Sequence, residues 1–225
     1  NKILLNKLYY SHKIDDFLML TTKKTQLEEK QLFQTIFDSL NIKDSNIVRI
    51  KQTHSNNIKY TSIPGFYDNY DGIVSNAKFN LIPIIATADC IPLFIYDSKL
   101  GYYGLIHCGW RGIVSEIHIK AIKDMINRGC STDNIHIYIG PSIKGCCYEI
   151  GENIVDNFSS KSINKINGKL FLDLITEIKT KFLNIGIKSN NIIESNICTY
   201  EDEECYSYRK KTGLNGRMYS MMIKI

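Results

Sequence analysis

The chain has 225 residues, 28 Lys and Arg against 23 Asp and Glu, and a hydrophobic fraction of 44%. This composition is typical of a folded globular protein and excludes the disordered and fibrous classes. The longest apolar run, residues 81–86, is too short to cross a bilayer, which takes about 20 residues. Residues 1–10 also lack the apolar core of a signal peptide. The sequence therefore predicts a single domain over residues 1–225, a cytoplasmic location and no membrane partner.

The charge and the cysteines argue against three further classes of protein. A net charge of +5, a pI near 8.7 and scattered lysines are weaker signals than a nucleic-acid-binding domain shows, so we expect no nucleic-acid partner. Seven Cys is an odd number, and no two of them are spaced as Cys-x-x-Cys. This pattern argues against both a disulfide framework and a zinc ribbon.

The hydrophobic pattern predicts helices on either side of a strand-rich centre. Apolar residues spaced by three and four predict a helix over 27–40. Short runs rich in Ile, Val and Tyr then predict strands at 47–52, 58–61, 72–75, 81–87, 93–96 and 102–107. The rest of the chain predicts helices at 113–128 and 173–184 and strands at 135–139 and 218–225. We therefore expect an α+β fold.

Three of the predicted strands end at a side chain that can bind a metal. His54, Cys90 and His107 each follow an apolar run, and strand ends place side chains precisely at the edge of a cleft. Two imidazoles and one thiolate could bind Zn²⁺ and leave its fourth position to water. The spacing alone leaves the alternative open that His54 caps a turn, Cys90 is a small buried side chain and His107 is a core histidine.

Residues 107–112 add features of an anion-binding site. Trp110, the single Trp of the chain, and Arg111 lie between Gly109 and Gly112, just before the helix predicted at 113–128. The amino end of that helix would expose amide donors, Arg111 would bind a phosphate or carboxylate, and Trp110 would stack on a ring. The alternative is that Trp110 belongs to the core and Arg111 forms a surface ion pair.

Two adjacent cysteines, Cys146 and Cys147, follow in a glycine-rich turn segment that includes Gly140 and Gly145. Successive side chains of an extended chain point to opposite sides. We therefore expect the two thiols to pack separately, one on each side.

Together, seven short segments resemble the multicopper polyphenol oxidase or laccase-domain family, also known as YfiH-type purine nucleoside phosphorylases. The segments occur in order at 51–54, 87–90, 107–112, 140–151, 198–200, 206–209 and 216–218. The resemblance covers about four-fifths of the chain, from Ile47 to its end. It implies an α/β/β/α sandwich like the catalytic domain of cytotoxic necrotizing factors. It also implies that His54, Cys90 and His107 bind Zn²⁺ and take part in catalysis.

The resemblance implies two reactions of purine nucleosides. One is phosphorolysis of adenosine, inosine and methylthioadenosine, and the other is deamination of adenosine, so nucleosides and phosphate are the expected partners. In phosphorolysis Arg111, Arg209 and Arg217 would bind phosphate or ribose, with Trp110 as a wall of the pocket. In deamination the carboxylate of Asp89 would carry protons.

The family label also implies copper-dependent oxidation of phenols, which the sequence disfavours. A multicopper centre needs many imidazoles, whereas the chain has five His and no His-x-His pair. We expect His118 in its helix and His136 in its strand to be structural. Cu²⁺ would nevertheless bind the same three ligands as Zn²⁺.

Two other functions remain open. In one, Cys90 is a nucleophile and His107 its base, and the enzyme hydrolyses an amide such as that of an erroneous cell-wall precursor. In the other, the chain is a catalytically silent metal-binding protein that acts through a partner.

The sequence departs from the family pattern at two places. Residues 9–17 contain no Gly where the family has a Gly-rich segment, which puts this chain's substrate specificity in question. Cys108 stands where the family commonly has Ala, and we expect it to pack on the face of the strand opposite His107.

Overall fold

A computed structural model describes residues 7–211 and 216–225, and this part of the chain contains four α-helices and fifteen strands. The helices are α1 (Glu29–Leu40), α2 (Trp110–Val114), α3 (Ile117–Asn127) and α4 (Leu174–Asn184). The strands are β1 (Tyr9–Ile14), β2 (Phe17–Thr22), β3 (Ile47–Lys51), β4 (Ile58–Tyr60), β5 (Gly65–Asp68), β6 (Gly72–Asn76), β7 (Ile82–Thr87), β8 (Ile91–Asp97), β9 (Tyr102–Cys108), β10 (Ile135–Ile139), β11 (Glu149–Ile150), β12 (Ile163–Ile166), β13 (Lys169–Leu172), β14 (Ile192–Glu194) and β15 (Met218–Lys224).

Twelve strands form two six-stranded sheets. The first has the order β1-β2-β15-β7-β3-β5, and the second has the order β14-β10-β8-β9-β6-β4. In the second sheet β8 and β9 are antiparallel, and Ile91 pairs with Cys108. Because Cys90 precedes Ile91 and Gly109 follows Cys108, this register brings Cys90 beside Gly109 at the end of the sheet. The remaining strands, β11, β13 and β12, form a small separate sheet.

The buried side chains arrange the elements in four layers. On the outer face of the first sheet, Ile84 packs with Ile36 of α1. Between the sheets, Ile85 packs with Phe94 and Leu105. On the outer face of the second sheet, strand residues pack against α3 and α4. Because both faces are covered at the centre of each sheet, central strands such as β7 and β8 are nearly continuous apolar runs in the sequence. The fold is thus mixed α/β and rich in sheet, whereas its likeness to cytotoxic necrotizing factors stays a prediction.

The predicted helices and strands are present with bounds that agree to within two residues, except at 113–128. That prediction of one helix is wrong, because the chain forms α2 and α3 with a break at Ser115 and Glu116. Glu116 has a left-handed backbone with φ of 59°, which ends the first helix and redirects the chain. As a result Trp110 and Arg111 lie within α2 instead of before a helix.

The first two strands were not predicted. β1 and β2 pair as an antiparallel hairpin whose turn places Asp15 at φ of 48°. Residues 9–17, which replace the Gly-rich segment of the resembling family, therefore form β1 and the turn into β2. None of them lines the cavity described below.

The adjacent cysteines also differ from expectation. Cys146 Sγ and Cys147 Sγ are 3.0 Å apart, so the prediction that they point to opposite sides is wrong. The segment is a turn, since the backbone N–H groups of Cys147 and Tyr148 both donate to Lys144 O at 3.0 Å. A turn allows neighbouring side chains to lie on one side.

Within the described residues, no helix combines the length and the apolar character that a membrane span needs.

Candidate active site

The three predicted metal ligands converge. His54 follows β3, Cys90 precedes β8, and His107 is the penultimate residue of β9. Their ligand atoms all lie within 4.8 Å of one another, and the two imidazole rings are 4.9 Å apart at 76°. One thiolate and two imidazoles are a donor set that suits Zn²⁺ with an open fourth position. The residues therefore fit a single divalent cation.

Asp71 organises this group, and the sequence analysis missed it. Its side chain is fully buried just before β6. Asp71 Oδ1 accepts hydrogen bonds from His107 Nδ1 at 2.8 Å and from the His54 backbone N–H at 3.0 Å. Asp71 Oδ2 accepts from the Ser55 N–H and hydroxyl, both at 2.7 Å, and from the Thr53 N–H at 3.1 Å. One carboxylate thus holds the loop of one ligand and the ring of another.

The hydrogen bond with Asp71 determines which nitrogen of His107 can bind a cation. A carboxylate only accepts hydrogen bonds, so Nδ1 donates its proton to Asp71, and Nε2 is the nitrogen that a cation would bind in place of a proton. On the loop, His54 has a left-handed backbone with φ of 57°. This unusual conformation is stabilised by the hydrogen bonds that three consecutive backbone N–H groups donate to Asp71.

The same hydrogen bonds shift the protonation of the group. Burial would raise the pKa of the Cys90 thiol, but hydrogen bonds with His107 and His54 outweigh burial and lower this pKa to about 6. Burial would lower the pKa of His107, but its bonds to Asp71 and Cys90 raise this pKa to about 9. Burial would raise the pKa of Asp71, but hydrogen bonds from His107 and Ser55 hold it far below its ordinary value. The thiolate is therefore the favoured form of Cys90 at neutral pH.

The group opens into a cavity of about 500 Å³, a volume usual for a small-molecule site. All the residues predicted for catalysis and binding line this cavity: His54, Asp89, Cys90, His107, Trp110, Arg111, Arg209 and Arg217. The sequence analysis did not single out four further lining residues, Gln52, Thr87, Tyr148 and Tyr208, as parts of a site. Gln52 and Thr87 nevertheless lie in the segments that carry the resemblance, two residues before His54 and Asp89 respectively.

Asp89 lies in the cavity wall with both oxygens engaged. Oδ1 accepts from the Thr199 hydroxyl at 2.7 Å, and Oδ2 accepts from the Arg209 backbone N–H at 2.9 Å. These bonds attach the carboxyl-terminal segment around 199–209 to the strand end that carries Cys90. Its predicted part in proton transfer stays a prediction.

Cationic and aromatic groups line the cavity together. The Arg111 guanidinium lies 4.3 Å from the Trp110 ring centroid, and the Arg209 guanidinium lies 4.9 Å from that of Tyr148. Among the described residues, neither these two arginines nor Arg217 forms an ion pair with a carboxylate. Their positive charge is therefore available to an anion. The alternative role predicted for Arg111, a surface ion pair, is not supported.

The other histidines lie elsewhere. His118 is buried against Phe182, with ring centroids 5.4 Å apart, and His136 stacks on Tyr96 at 5.1 Å. His12 stacks on Tyr138 at 4.5 Å. None of the three lines the cavity, which agrees with the structural role predicted for His118 and His136. Cys108 is likewise buried in the core of the second sheet, as predicted.

Gly109 is expected to be essential for the geometry of the metal ligands. A Cβ atom at this position would lie 3.0 Å from Cys90 Sγ and 3.0 Å from His54 Cδ2. Gly109→Ala should therefore displace both ligands and weaken zinc binding by about 10-fold or more, which titration with a competing chelator measures. Gly151→Ala is the matched control, because its added Cβ would meet only the flexible end of Asn153. Equal zinc affinity in the two variants would contradict this view of the site.

Comparison with known proteins places the chain in a family. The family model for multi-copper polyphenol oxidoreductase laccase matches residues 22–224. A protein of Clostridium acetobutylicum named purine nucleoside phosphorylase is 36% identical over 196 residues, which cover 83% of this chain and 80% of that protein. A protein from an unknown prokaryotic organism named adenosine deaminase is 28% identical over 162 residues, which cover 68% of this chain and 62% of that protein.

A solved structure agrees with the fold. The crystal structure of the Bacillus licheniformis hypothetical protein YfiH superposes with a TM-score of 0.83, covering 93% of each chain at 22% sequence identity. Because the family model covers most of the chain and the sequence relatives extend over the same region, the chain belongs to the multi-copper polyphenol oxidoreductase laccase family.

Proposed function

We propose that the chain is a zinc-dependent purine nucleoside phosphorylase that acts on adenosine, inosine and methylthioadenosine and also deaminates adenosine. The observation that carries this proposal is the convergence of His54, Cys90 and His107 in a cavity that also holds three arginines, none of which forms an ion pair with a carboxylate of the described residues. The names of the sequence relatives support the same reaction type.

The charge of the cavity suits phosphate. Arg111, Arg209 and Arg217 contribute three guanidinium groups, and Asp89 is the one carboxylate among the described residues that line the cavity. Guanidinium groups bind phosphate through paired, charge-assisted hydrogen bonds. In phosphorolysis these groups would orient phosphate for attack on the anomeric carbon and stabilise the charge that develops there.

The aromatic wall suits a purine. Trp110, Tyr148 and Tyr208 line the same cavity as the arginines. Flat rings stack on a purine base from either face, and this contact is worth about 1–3 kcal/mol per base. The base would thus stack on these rings, and the guanidinium groups of Arg111 and Arg209, which lie over Trp110 and Tyr148, would bind ribose or phosphate beside it.

His54, Cys90 and His107 would hold the metal. When bound, a divalent cation in this place supplies Lewis acidity, which can acidify water or stabilise negative charge on a departing base. The chain's own contribution is to hold His107 in one tautomer through Asp71 and to keep Cys90 ionised. Copper would fit the same donors, but a multicopper centre for phenol oxidation would need imidazoles that His12, His118 and His136 do not bring to the cavity.

A nucleoside panel tests the proposal. Zinc-loaded protein is incubated with adenosine, inosine or methylthioadenosine, with and without phosphate, and free base, ribose 1-phosphate and inosine are measured by chromatography. We expect free base only with phosphate, and inosine from adenosine without it. The proposal is wrong if no nucleoside is consumed under either condition.

Arg111→Ala is expected to weaken phosphate binding selectively. One charge-assisted hydrogen-bond pair is worth about 1.5–3 kcal/mol, so the KM for phosphate should rise about 10- to 100-fold while the KM for adenosine changes little. Arg128→Ala is the control, because Arg128 pairs with Asp124 outside the cavity. A rise in the KM for adenosine alone would place Arg111 at the nucleoside instead.

The second candidate, an amide hydrolase, is favoured by the acidic thiol of Cys90. Its pKa of about 6 and its contacts with His107 and His54 are also those of a nucleophilic cysteine. In this case activity would survive removal of zinc by a chelator, and a covalent thioester on Cys90 would be trapped by mass spectrometry. For a phosphorylase the chelator abolishes turnover. A silent metal-binding protein would bind zinc but convert neither class of substrate.

The metal-free protein provides a pH test of the thiolate. Because the Cys90 pKa is about 6, iodoacetamide should modify Cys90 with a half-maximal rate near pH 6, whereas an ordinary thiol needs a higher pH. Burial raises the pKa of the partly exposed Cys147, so this thiol should react more slowly at pH 7. Peptide mapping at pH 5, 6 and 7 measures both rates. A Cys90 rate that rises only above pH 8 would contradict the proposed thiolate.

The expected partners are therefore purine nucleosides and phosphate. A cytoplasmic location and a single domain over residues 1–225 stay predictions.

A further inference from the structure

A second group of potential metal ligands lies outside the site described above. One ligand atom from each of Cys146, Cys147, Cys198 and Glu201 lies within 4.8 Å of the others. We call these four residues the thiol cluster. Cys198 is buried, Cys147 is half-buried, and Cys146 and Glu201 are exposed. None of the four lines the large cavity.

The fold brings two distant segments together at the thiol cluster. The turn that starts at Lys144 puts Cys146 and Cys147 on one side of the chain. Ser142 forms a parallel bridge with Cys198, and the Thr199 N–H donates to Ser142 O at 3.2 Å. A second turn follows at once, since the Glu201 N–H donates to Cys198 O at 3.1 Å. Backbone hydrogen bonds therefore determine the positions of all four ligands.

Packing of apolar side chains does not account for this arrangement. Three thiols and a carboxylate would carry like charges when ionised, and like charges repel at such separations. A divalent cation removes the repulsion, and three sulfurs with one oxygen are the number and type of donors that tetrahedral Zn²⁺ takes.

We propose that Cys146, Cys147, Cys198 and Glu201 form a second zinc site with a structural role. All four positions of Zn²⁺ are taken by protein ligands, as in structural sites and unlike the first site with its three ligands. Each thiol that binds gives its proton to solvent. The bound ion would join the 144–148 turn to the segment that begins at Cys198.

This site would stabilise one wall of the active-site cavity. Tyr148, which directly follows Cys147, lines the cavity, and Thr199, which directly follows Cys198, donates to Asp89 at 2.7 Å. Loss of the second zinc should therefore lower thermal stability and loosen the cavity without removing the catalytic ligands.

Counting zinc in the purified protein tests the proposal. Native mass spectrometry and elemental analysis of protein loaded with Zn²⁺ alone should give two ions per chain. Cys198→Ser and the double variant Cys146→Ser/Cys147→Ser should each bind one, and His54→Ala should also bind one. Cys205→Ser, a buried thiol of the same carboxyl-terminal segment outside the cluster, should still bind two. One zinc in the wild type, retained by Cys198→Ser and lost by His54→Ala, would overturn the proposal.

Cobalt provides a readout that does not depend on folding of the Ser variants. In the wild type, Co²⁺ at the thiol cluster has three sulfur ligands, so its sulfur-to-metal absorption should be about three times that of the single-thiolate site. The exposed change Glu201→Gln should keep this absorption but weaken Co²⁺ binding at this site. A spectrum with the intensity of one thiolate, or a mass showing a disulfide between cluster cysteines that excludes the metal, would contradict a zinc site here.

Discussion

Cys90→Ala is expected to abolish nucleoside phosphorolysis, with kcat/KM reduced about a thousandfold or more. The change removes the one thiolate of the first site and leaves two imidazoles, which hold Zn²⁺ far more weakly than three ligands do. Zinc content should fall with activity, while the fold persists because Cys90 lies at a strand end and not in the core. Initial rates with adenosine and phosphate, together with elemental analysis, measure both effects.

Cys108→Ala is the matched control for this variant. Cys108 follows His107 in β9, but its thiol is buried among the core side chains of the second sheet. The variant should lose some stability, about 1 kcal/mol for one small buried group, and keep normal kcat/KM. Turnover that persists in Cys90→Ala would end the assignment of Cys90 to the metal or to the chemistry.

Asp71→Asn is expected to produce the second largest effect, on zinc affinity and on stability together. The amide can no longer accept all the hydrogen bonds that bind Thr53, His54, Ser55 and His107 to the carboxylate. Loss of such support typically weakens metal binding about 10- to 100-fold. Breaking a buried charged pair costs about 3 kcal/mol or more, which for a chain of this size lowers Tm by about 6 to 12 °C.

A second buried carboxylate separates these two effects. Asp97 is buried and accepts from the Lys99 and Leu100 N–H groups at a turn outside the cavity. Asp97→Asn should lower Tm without any change in zinc affinity, measured by competition with a chelator. If Asp71→Asn bound zinc as tightly as Asp97→Asn, Asp71 would be a purely structural residue.

The three ligands of the first site were predictable because each is marked by its neighbours in the sequence. His54, Cys90 and His107 each end an apolar run, and the segments around them resemble one family. The meeting of Cys90 and His107 depends on the register that pairs Ile91 with Cys108, and His54 joins them through Asp71, neither of which the sequence shows. The resemblance supplied that long-range information, and the distances agree with it.

Three other features escaped prediction, for different reasons. Asp71 precedes a short strand and has no neighbour in sequence that marks it, yet it receives hydrogen bonds from two separate segments. No Gly or Pro at Ser115 or Glu116 indicates the break between α2 and α3. The thiols of Cys146 and Cys147 lie on one side because of the turn that starts at Lys144, whereas the alternation of an extended chain predicts opposite sides. Asp71 thus depends on contacts distant in sequence, whereas the helix break at Glu116 and the turn at Lys144 are local backbone conformations.

Anomalous X-ray scattering at the zinc edge, from crystals of zinc-loaded protein, shows whether His54, Cys90 and His107 bind one zinc ion together. The account predicts a peak about 2.0–2.1 Å from one nitrogen each of His54 and His107 and about 2.3 Å from Cys90 Sγ. Occupancy of this peak should match the measured activity of the same sample. A fully active protein with no anomalous peak at these three side chains would contradict the account.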